Sequence, residues 1–289
     1  MSESALVAIL KGGLGNQLFI YAACKAAVLR SGRKLYLDTQ IAYIADGYGR
    51  SYQLDRFGVT DPEVLPGMRI APNLKHWRHK GLRALNKCLP QNYRTYIAER
   101  GKYELLRLRS RADLVYALGY WQSERYFSDC MDQIRNALQL PAPDEAGLIQ
   151  AGKQLMETHS VALHIRRERF PKVIHLAYYQ LAIDEMVKKY PDACFILFGD
   201  SVEAVSQQLN FRGRSVVESG GAHAADALLD FWLISRCRHA VLSNSSFAWW
   251  AAWFGDAIHP ERTVFAPADF GFPMEAASRW LSLPNLIEE

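Results

Sequence analysis

The 289-residue sequence predicts an α/β protein in which parallel strands alternate with helices, divided into two domains. Three observations predict it. Residues 5–38 read as strand, glycine-rich turn, helix and strand, which is a βαβ unit. From Val161 onward the same alternation of short apolar runs and longer helical patterns returns. Between the two halves stands Pro141-Ala142-Pro143, so the expected domains are 1–143 and 144–289.

Bulk properties narrow the function classes. With 49% hydrophobic and 22% charged residues, the chain has the composition of a soluble globular protein. A formal charge of +4 permits an anionic ligand but is too weak to argue for nucleic acid. The five cysteines are scattered, odd in number and without a C-x-x-C pair. That disfavours a disulfide framework or a zinc site and fits a reducing, cytoplasmic setting. The opening MSESALVAILKGG carries Glu3 and too short an apolar run for a secretory signal. No run of about 20 apolar residues offers a membrane span.

Taken in order, Ala5 to Leu10 is an apolar strand that runs into Lys11-Gly12-Gly13-Leu14-Gly15-Asn16. Gln17 to Arg30 follows as a helix with Leu18, Tyr21, Ala22 and Ala26 on one face, stopped by Ser31-Gly32. Lys34 to Leu37 is the next strand, closing at Asp38. Backbone N–H groups at the helix start could hold an anion. A nicotinamide-binding fold is the rival here. It wants G-x-G-x-x-G and a later acid; Gly13, Gly15 and Asp38 fit, whereas Leu18 fills the third glycine position.

Residues 47–72 read as loops. The stretch 69–111 holds twelve Lys and Arg against Glu99 and Glu104 alone. It is expected to form a solvated helical face, with a surface meeting an anionic glycolipid or membrane as the alternative. Gly119 to Phe127 opens a helix expected to run to Leu138, with Ser123 as its cap.

In the second half the expected strands are Val161–Ile165, Cys194–Phe198, Ser215–Val217, Ala240–Leu242 and Val264–Ala266. The expected helices are Ala177–Lys189, Val202–Leu209, Ala225–Arg236 and Phe247–Phe254, with Asp226 and Asp230 four apart on one face. Ligands of open α/β sheets collect outside the carboxyl ends of strands, which singles out His164, Arg166 and Arg167. An arginine fork matches phosphate geometry and stays charged; the plainer reading is an exposed basic pair pinning nearby carboxylates. Ser243-Asn244-Ser245-Ser246 leads from a strand end into a helix N-terminus, a metal-free anion site or a simple cap. Trp249, Trp250 and Trp253 are expected in the core.

Four blocks together resemble the family 11 glycosyltransferases, the α-1,2-fucosyltransferases that use GDP-fucose. They are GGLGNQLFIYA at 12–22, GYWQSERYF at 119–127, HIRR at 164–167 and DFWLISRCRHAVLSNSSFAWWAAWF at 230–254. The resemblance implies a GT-B-like fold of two Rossmann-type lobes facing across a cleft, with the C-terminal lobe holding the nucleotide. It implies inversion at the sugar carbon without a required metal or other cofactor, and the chain has no D-x-D triplet. By the same resemblance Arg166 grips the β-phosphate and Ser245 and Ser246 donate to the diphosphate. His164 contacts the nucleoside, Asp230 accepts from guanine, and Arg167 buttresses the site. Gly13, Gly15 and Asn16 would face the sugar and the acceptor, a galactose-containing glycan or glycolipid.

One departure stands out. The family motif reads H-x-R-R-G-D, and here Glu168 and Arg169 occupy its last two positions. Glu168, Asp38 and His175 are the candidate bases, with direct proton loss to phosphate beside them. The open alternatives are a nicotinamide oxidoreductase and a non-catalytic nucleotide-sugar-binding protein.

Overall fold

The computed structural model describes residues 4–43, 46–64, 81, 84–86, 88–99, 105–168, 172–219 and 227–288. It divides into two compact units, Met1–Gln139 and Leu140–Glu289.

The first unit is built on a parallel sheet. β1 (Ala5–Ile9) is buried throughout, as expected of a continuous apolar run covered on both faces. α1 (Leu14–Ser31) starts three residues before the expected Gln17 and is buried nearly all round. It ends at Gly32, whose φ of 69° lets its N–H reach Val28 O. β2 (Lys34–Asp38), β3 (Tyr96–Ala98) and β4 (Leu114–Leu118) complete the order β2-β1-β4-β3. The chain leaves β1 toward β2 on one side and returns later to pair β4 on the other. That makes a topological switch between β1 and β4.

Two expectations for this unit need correction. The single helix expected over 123–138 is three pieces: 3₁₀ turns at Glu124–Tyr126 and Ser128–Cys130, then α2 (Met131–Ala137). Phe127 (φ −137°, ψ 11°) and Cys130 (φ −123°, ψ 25°) sit outside helical geometry at the joins. Ser123 does cap the first piece, accepting from Arg125 N. Of the stretch 69–111, expected as a helical face, residues 69–80, 82–83, 87 and 100–104 lie outside the described residues; the rest includes helical residues at 81, 84–86 and 88 and the strand β3.

The second unit begins with α3 (Ala146–Glu157), a helix without an expected counterpart. The six-stranded parallel sheet follows: β5 (Ser160–Ile165), β7 (Cys194–Gly199), β8 (Val216–Glu218), β9 (His239–Val241), β10 (Val264–Pro267) and β11 (Leu281–Leu283). Its order is β11-β10-β9-β5-β7-β8. β6 (Val173–Ile174) and β12 (Ile287–Glu288) form a separate antiparallel pair. The helices are α4 (Leu176–Lys189), α5 (Val202–Ser206), α6 (Ala227–Arg236) and α7 (Ser246–Ile258). α5 stops short of the expected Leu209, and Asp226 lies outside the described residues.

Packing explains the unit's glycines and tryptophans. A Cβ on Gly152 would stand 2.3 Å from the Trp232 ring, so α3 meets α6 at a glycine. Trp249, Trp250 and Trp253 are fully buried and pack edge-to-face along α7. They are core residues. Ile165, Ile174, Tyr178, Tyr179, Phe195 and Val241 fill the space between β5, β7, β9 and α4.

Candidate functional site

The second unit has its own topological switch. From β5 the chain moves to β7 and β8 on one side, then crosses to β9 on the other. A crevice at the carboxyl ends of β5 and β9 is where such sheets take ligands. His164, near the end of β5, and Ser243, just past β9, bridge it through Nδ1 and Oγ at 2.8 Å. Both are buried. Burial, with the nearby Arg166 charge adding to it, pushes the His164 pKa down to about 3, so the ring is neutral at working pH. Phe247, in the first turn of α7, lies 6.0 Å from the His164 ring and meets Phe231 edge-on at 5.1 Å.

Ser245 caps α7 through its backbone (φ −120°, ψ 124°), its carbonyl accepting from Trp249 N at 3.0 Å. Its side chain makes no capping bond. A helix's first-turn N–H groups lack intrahelical acceptors, so the Ser245 and Ser246 hydroxyls and these amides together form a donor-rich end. Asn244 serves the fold instead. Its Nδ2 donates to Lys172 O (2.7 Å) and Phe270 O (3.3 Å), tying the segment after β5 to the one after β10. Lys172 Nζ reinforces the tie by donating to Gly271 O.

Beyond β5, alternation sorts the two arginines. Successive side chains of an extended chain face opposite ways, so Arg166 shares the His164 side and Arg167 the other. Arg167 Nη2 pairs with Glu288 Oε2 at 2.8 Å, and Nη1 reaches Ile174 O at 3.5 Å. Asp200 Oδ1 accepts the backbone N–H groups of both Arg167 and Glu168. Glu168 itself is exposed, and its Oε1 accepts from Ser201 Oγ at 3.0 Å. The approach of β7 to β5 requires glycine: Gly199 has φ 114°, and a Cβ there would lie 1.8 Å from Ile165 O. Arg169 lies outside the described residues.

Asp230 is in the first turn of α6 and accepts from Ser219 Oγ at 3.2 Å. Ser219 N in turn donates to Leu197 O, which places the pair near the carboxyl end of β7. In the first unit, Gly12 and not Gly13 carries the positive φ (75°), while Gly13 is the N-cap of α1. Gly15 is buried within the first turn of α1. Asn16 Oδ1 accepts from Gln122 Nε2 at 2.7 Å. Buried Gln17 fixes the glycine turn, donating to Gly12 O (3.1 Å) and Ser51 O (2.8 Å) and accepting from Gln53 N (3.0 Å).

Two candidate bases are committed to turns. Asp38 is buried, and Oδ1 accepts the N–H groups of Gln40 (3.1 Å) and Ile41 (2.9 Å). His175 caps α4, its Nδ1 accepting from Ala177 N at 3.1 Å. Sequence reasoning missed Asp200, Gln17 and Glu288. A Gly-Asp pair at a strand's carboxyl end was the available signal for Asp200. Among the described residues no group of three or more His, Cys, Asp or Glu side chains could hold a metal ion, and no helix is long and apolar enough to cross a membrane.

Comparison with known proteins follows from this geometry. An alpha-1,2-colitosyltransferase of Escherichia coli is 27% identical over 268 residues, covering 86% of this chain and 87% of the relative. A mouse galactoside alpha-(1,2)-fucosyltransferase 1 is 22% identical over 278 residues, covering 90% of this chain and 66% of its own. Among solved structures, a variant of Arabidopsis thaliana FUT1 in complex with GDP superposes with a TM-score of 0.53 at 12% identity, over 92% of this chain and 71% of that one. The alpha-1,6-fucosyltransferase NodZ soaked with GDP-fucose gives 0.50 at 16% identity, over 91% and 95%. These likenesses show a fold of the GT-B type. The sequence profile of Glycosyl transferase family 11 matches residues 5–259, nearly the whole of both units, and the chain belongs to that family.

Proposed function

We propose that the protein transfers L-fucose from GDP-fucose to the 2-hydroxyl of a galactoside, with inversion at the sugar carbon. The observation that carries this reading is the His164–Ser243 bridge at the β5/β9 switch, flanked by Arg166 and the donor-rich start of α7. A diphosphate suits that combination, because cationic and N–H donors converge on one end of the sheet. The 1,2-linkage and the galactoside acceptor are supported by the activities for which the relatives are named.

In this reading Arg166 holds the β-phosphate and offsets the negative charge that grows as the sugar–phosphate bond breaks. Ser245 and Ser246 donate to the same diphosphate. Neutral His164 lines the nucleoside, and the Asp230 carboxylate accepts from guanine N1–H and its amino group. The acceptor oxygen attacks the sugar carbon as GDP departs, and its proton passes to Glu168 or to the leaving phosphate. Arginine and helix amides supply the positive charge, so the reaction proceeds without a metal ion.

The acceptor belongs to a bacterial-type surface glycan or glycolipid assembled in the cytoplasm. Peripheral contact with an anionic membrane through the basic 69–111 region is supported by exposed Leu85, Leu89 and Tyr93 within it. Flotation with anionic vesicles tests it.

The deciding experiment is a matrix of GDP- and UDP-sugars, including the fucosyl and colitosyl donors, against galactoside acceptors, with products assigned by NMR and a parallel EDTA arm. Transfer of fucose to O2 of galactose, insensitive to EDTA, is the expected result. A preference for a UDP-sugar, or complete loss with EDTA restored by Mn²⁺, overturns the reading. GDP binding without turnover on any acceptor would identify a non-catalytic binding protein instead.

A further inference from the structure

Arg166 stands between two residues that a single neighbour holds. The pairing of β5 with β7 ends at Ile165 and Gly199, which brings the next residue of each strand, Arg166 and Asp200, to the same carboxyl edge. Asp200 N donates to Ile165 O at 3.3 Å, on one side of Arg166. On the other side, Asp200 Oδ1 accepts from Arg167 N and, at 3.1 Å, from Glu168 N. One residue thus grips the backbone before and after the arginine.

The grip is built on an uncommon backbone. Gly199 (φ 114°) and Ser201 (φ 54°), on either side of Asp200, both have positive φ. For a serine that left-handed conformation is costly, and capping does not explain it, since the Ser201 side chain makes no capping bond to α5. Its hydroxyl donates instead to Glu168 Oε1 at 3.0 Å. The segment after β7 therefore clasps the segment after β5 a second time. Glu168 stands where the family motif has glycine, so this second clasp belongs to this chain's own sequence. Left-handed residues gathered beside an arginine at the carboxyl edge of a sheet point to geometry that the function uses.

Electrostatics points the same way. A carboxylate on this edge opposes an anionic ligand, yet Asp200 is the acid that follows β7 there. What it provides is an acceptor for two backbone amides, and a charged acceptor makes the stronger hydrogen bonds. Moving a reacting group by about 1 Å can cost about a hundredfold in rate, so fixing the turn has a kinetic consequence. We propose that Asp200 is a positioning residue for the transfer: its amide and carboxylate fix the turn that carries Arg166 and so hold the guanidinium on the β-phosphate. This deepens the transferase reading above and rests on it.

The test compares Asp200→Asn, Asp200→Glu and Asp200→Ala with the parent, each alone and combined with Arg166→Ala. Asparagine keeps an oxygen at the same reach without the charge, whereas glutamate keeps the charge and carries its oxygens one carbon too far. Turnover stays within about three-fold of the parent in Asp200→Asn, where only the charge assistance is lost. It falls about ten- to a hundred-fold in Asp200→Glu and Asp200→Ala. In the Arg166→Ala background Asp200→Glu costs no more than about two-fold, because the two residues act as one. Calorimetry with GDP and GMP reads the grip on the β-phosphate without turnover: the parent's preference for GDP shrinks in Asp200→Glu and persists in Asp200→Asn. Thermal unfolding is followed in each variant, and the Asn and Glu variants carry the comparison if Asp200→Ala does not fold. Turnover lost in Asp200→Asn as fully as in Asp200→Glu overturns the proposal, as does turnover unchanged in all three variants. A full Asp200→Glu effect in the Arg166→Ala background, or a parent without preference for GDP over GMP, overturns it as well. A parent that shows the Asp200-dependent preference for GDP yet transfers no sugar overturns the transferase reading and leaves the positioning role standing.

Discussion

Arg167 and Glu288, 121 positions apart, form an ion pair at 2.8 Å. It exists because β12 pairs antiparallel with β6, Ile287 opposite Ile174 and Glu288 opposite Val173. Glu288 lies beyond residue 259, where the family match ends. The pair engages Arg167 with the C-terminal strand, which leaves Arg166 as the arginine proposed to meet the phosphate.

Glu288→Ala should therefore act on the turn that carries Arg166. The two side chains are 27% and 35% exposed, so the pair contributes at most about 1 kcal/mol after solvent screening. A two- to five-fold loss of turnover, with roughly 1 kcal/mol or less of stability, is the expected outcome in initial-rate and thermal-unfolding measurements. Turnover equal to the parent's would show that the pair holds nothing the reaction needs.

Arg166→Ala should remove most activity and leave the fold intact. A donor aimed at charge that develops only in the transition state is worth roughly 3–4 kcal/mol, a hundredfold or more in rate. Steady-state kinetics alongside circular dichroism checks it; near-normal turnover would sink the phosphate assignment.

Asp230→Ala should weaken GDP binding by about 1–3 kcal/mol, since guanine donors would be left without an acceptor. Calorimetric titrations with GDP and UDP give the contrast. Equal losses for both would reduce Asp230 to the partner of Ser219.

Acid should destabilise the protein through two histidines. His239 Nδ1 accepts from Thr263 N at 3.1 Å, and its Nε2 faces His159 Nδ1 at 3.1 Å beneath the Tyr190 ring. Burial first, then the neighbouring His159, pushes its pKa down to about 3, and His164 is lowered to the same value. The unfolded chain binds these protons near pH 6.5 and the folded protein does not. Stability is thus fully present above pH 6.5 and declines as pH falls toward 3, by up to about 1.4 kcal/mol per pH unit for each ring. Urea midpoints measured at several pH values between 7.5 and 4.5 should fall, and His239→Gln should flatten the slope. A slope identical in that variant would clear His239 of the effect.

Much of this fold is written in local pattern, and the exceptions have physical causes. β1, α1 and β2 were legible because their apolar runs are long and Gly32 ends the helix where a left-handed residue is needed. β3 was not legible. It is three residues long in a basic stretch and is anchored by Asn86, whose side chain bonds the backbone of Thr95 and Tyr96. In the site, His164, Arg166 and Ser243–Ser246 follow from their place at strand ends. Asp200 and Glu288 act by bonding backbone or side chains 33 and 121 residues away, distances over which a single sequence carries no periodic signal.

The indoles of α7 give the protein an optical handle. Trp249, Trp250 and Trp253 are shielded from water, in ring contact with one another and with Trp280 and Phe254. They begin four residues after Ser245, on the helix whose first turn is proposed to hold the diphosphate. Three of the seven tryptophans thus emit from one dry cluster at the blue end of the fluorescence spectrum. A nucleotide seating on that helix would alter its field and change their intensity, so occupancy could be followed on unlabelled protein, in real time, before any product is formed.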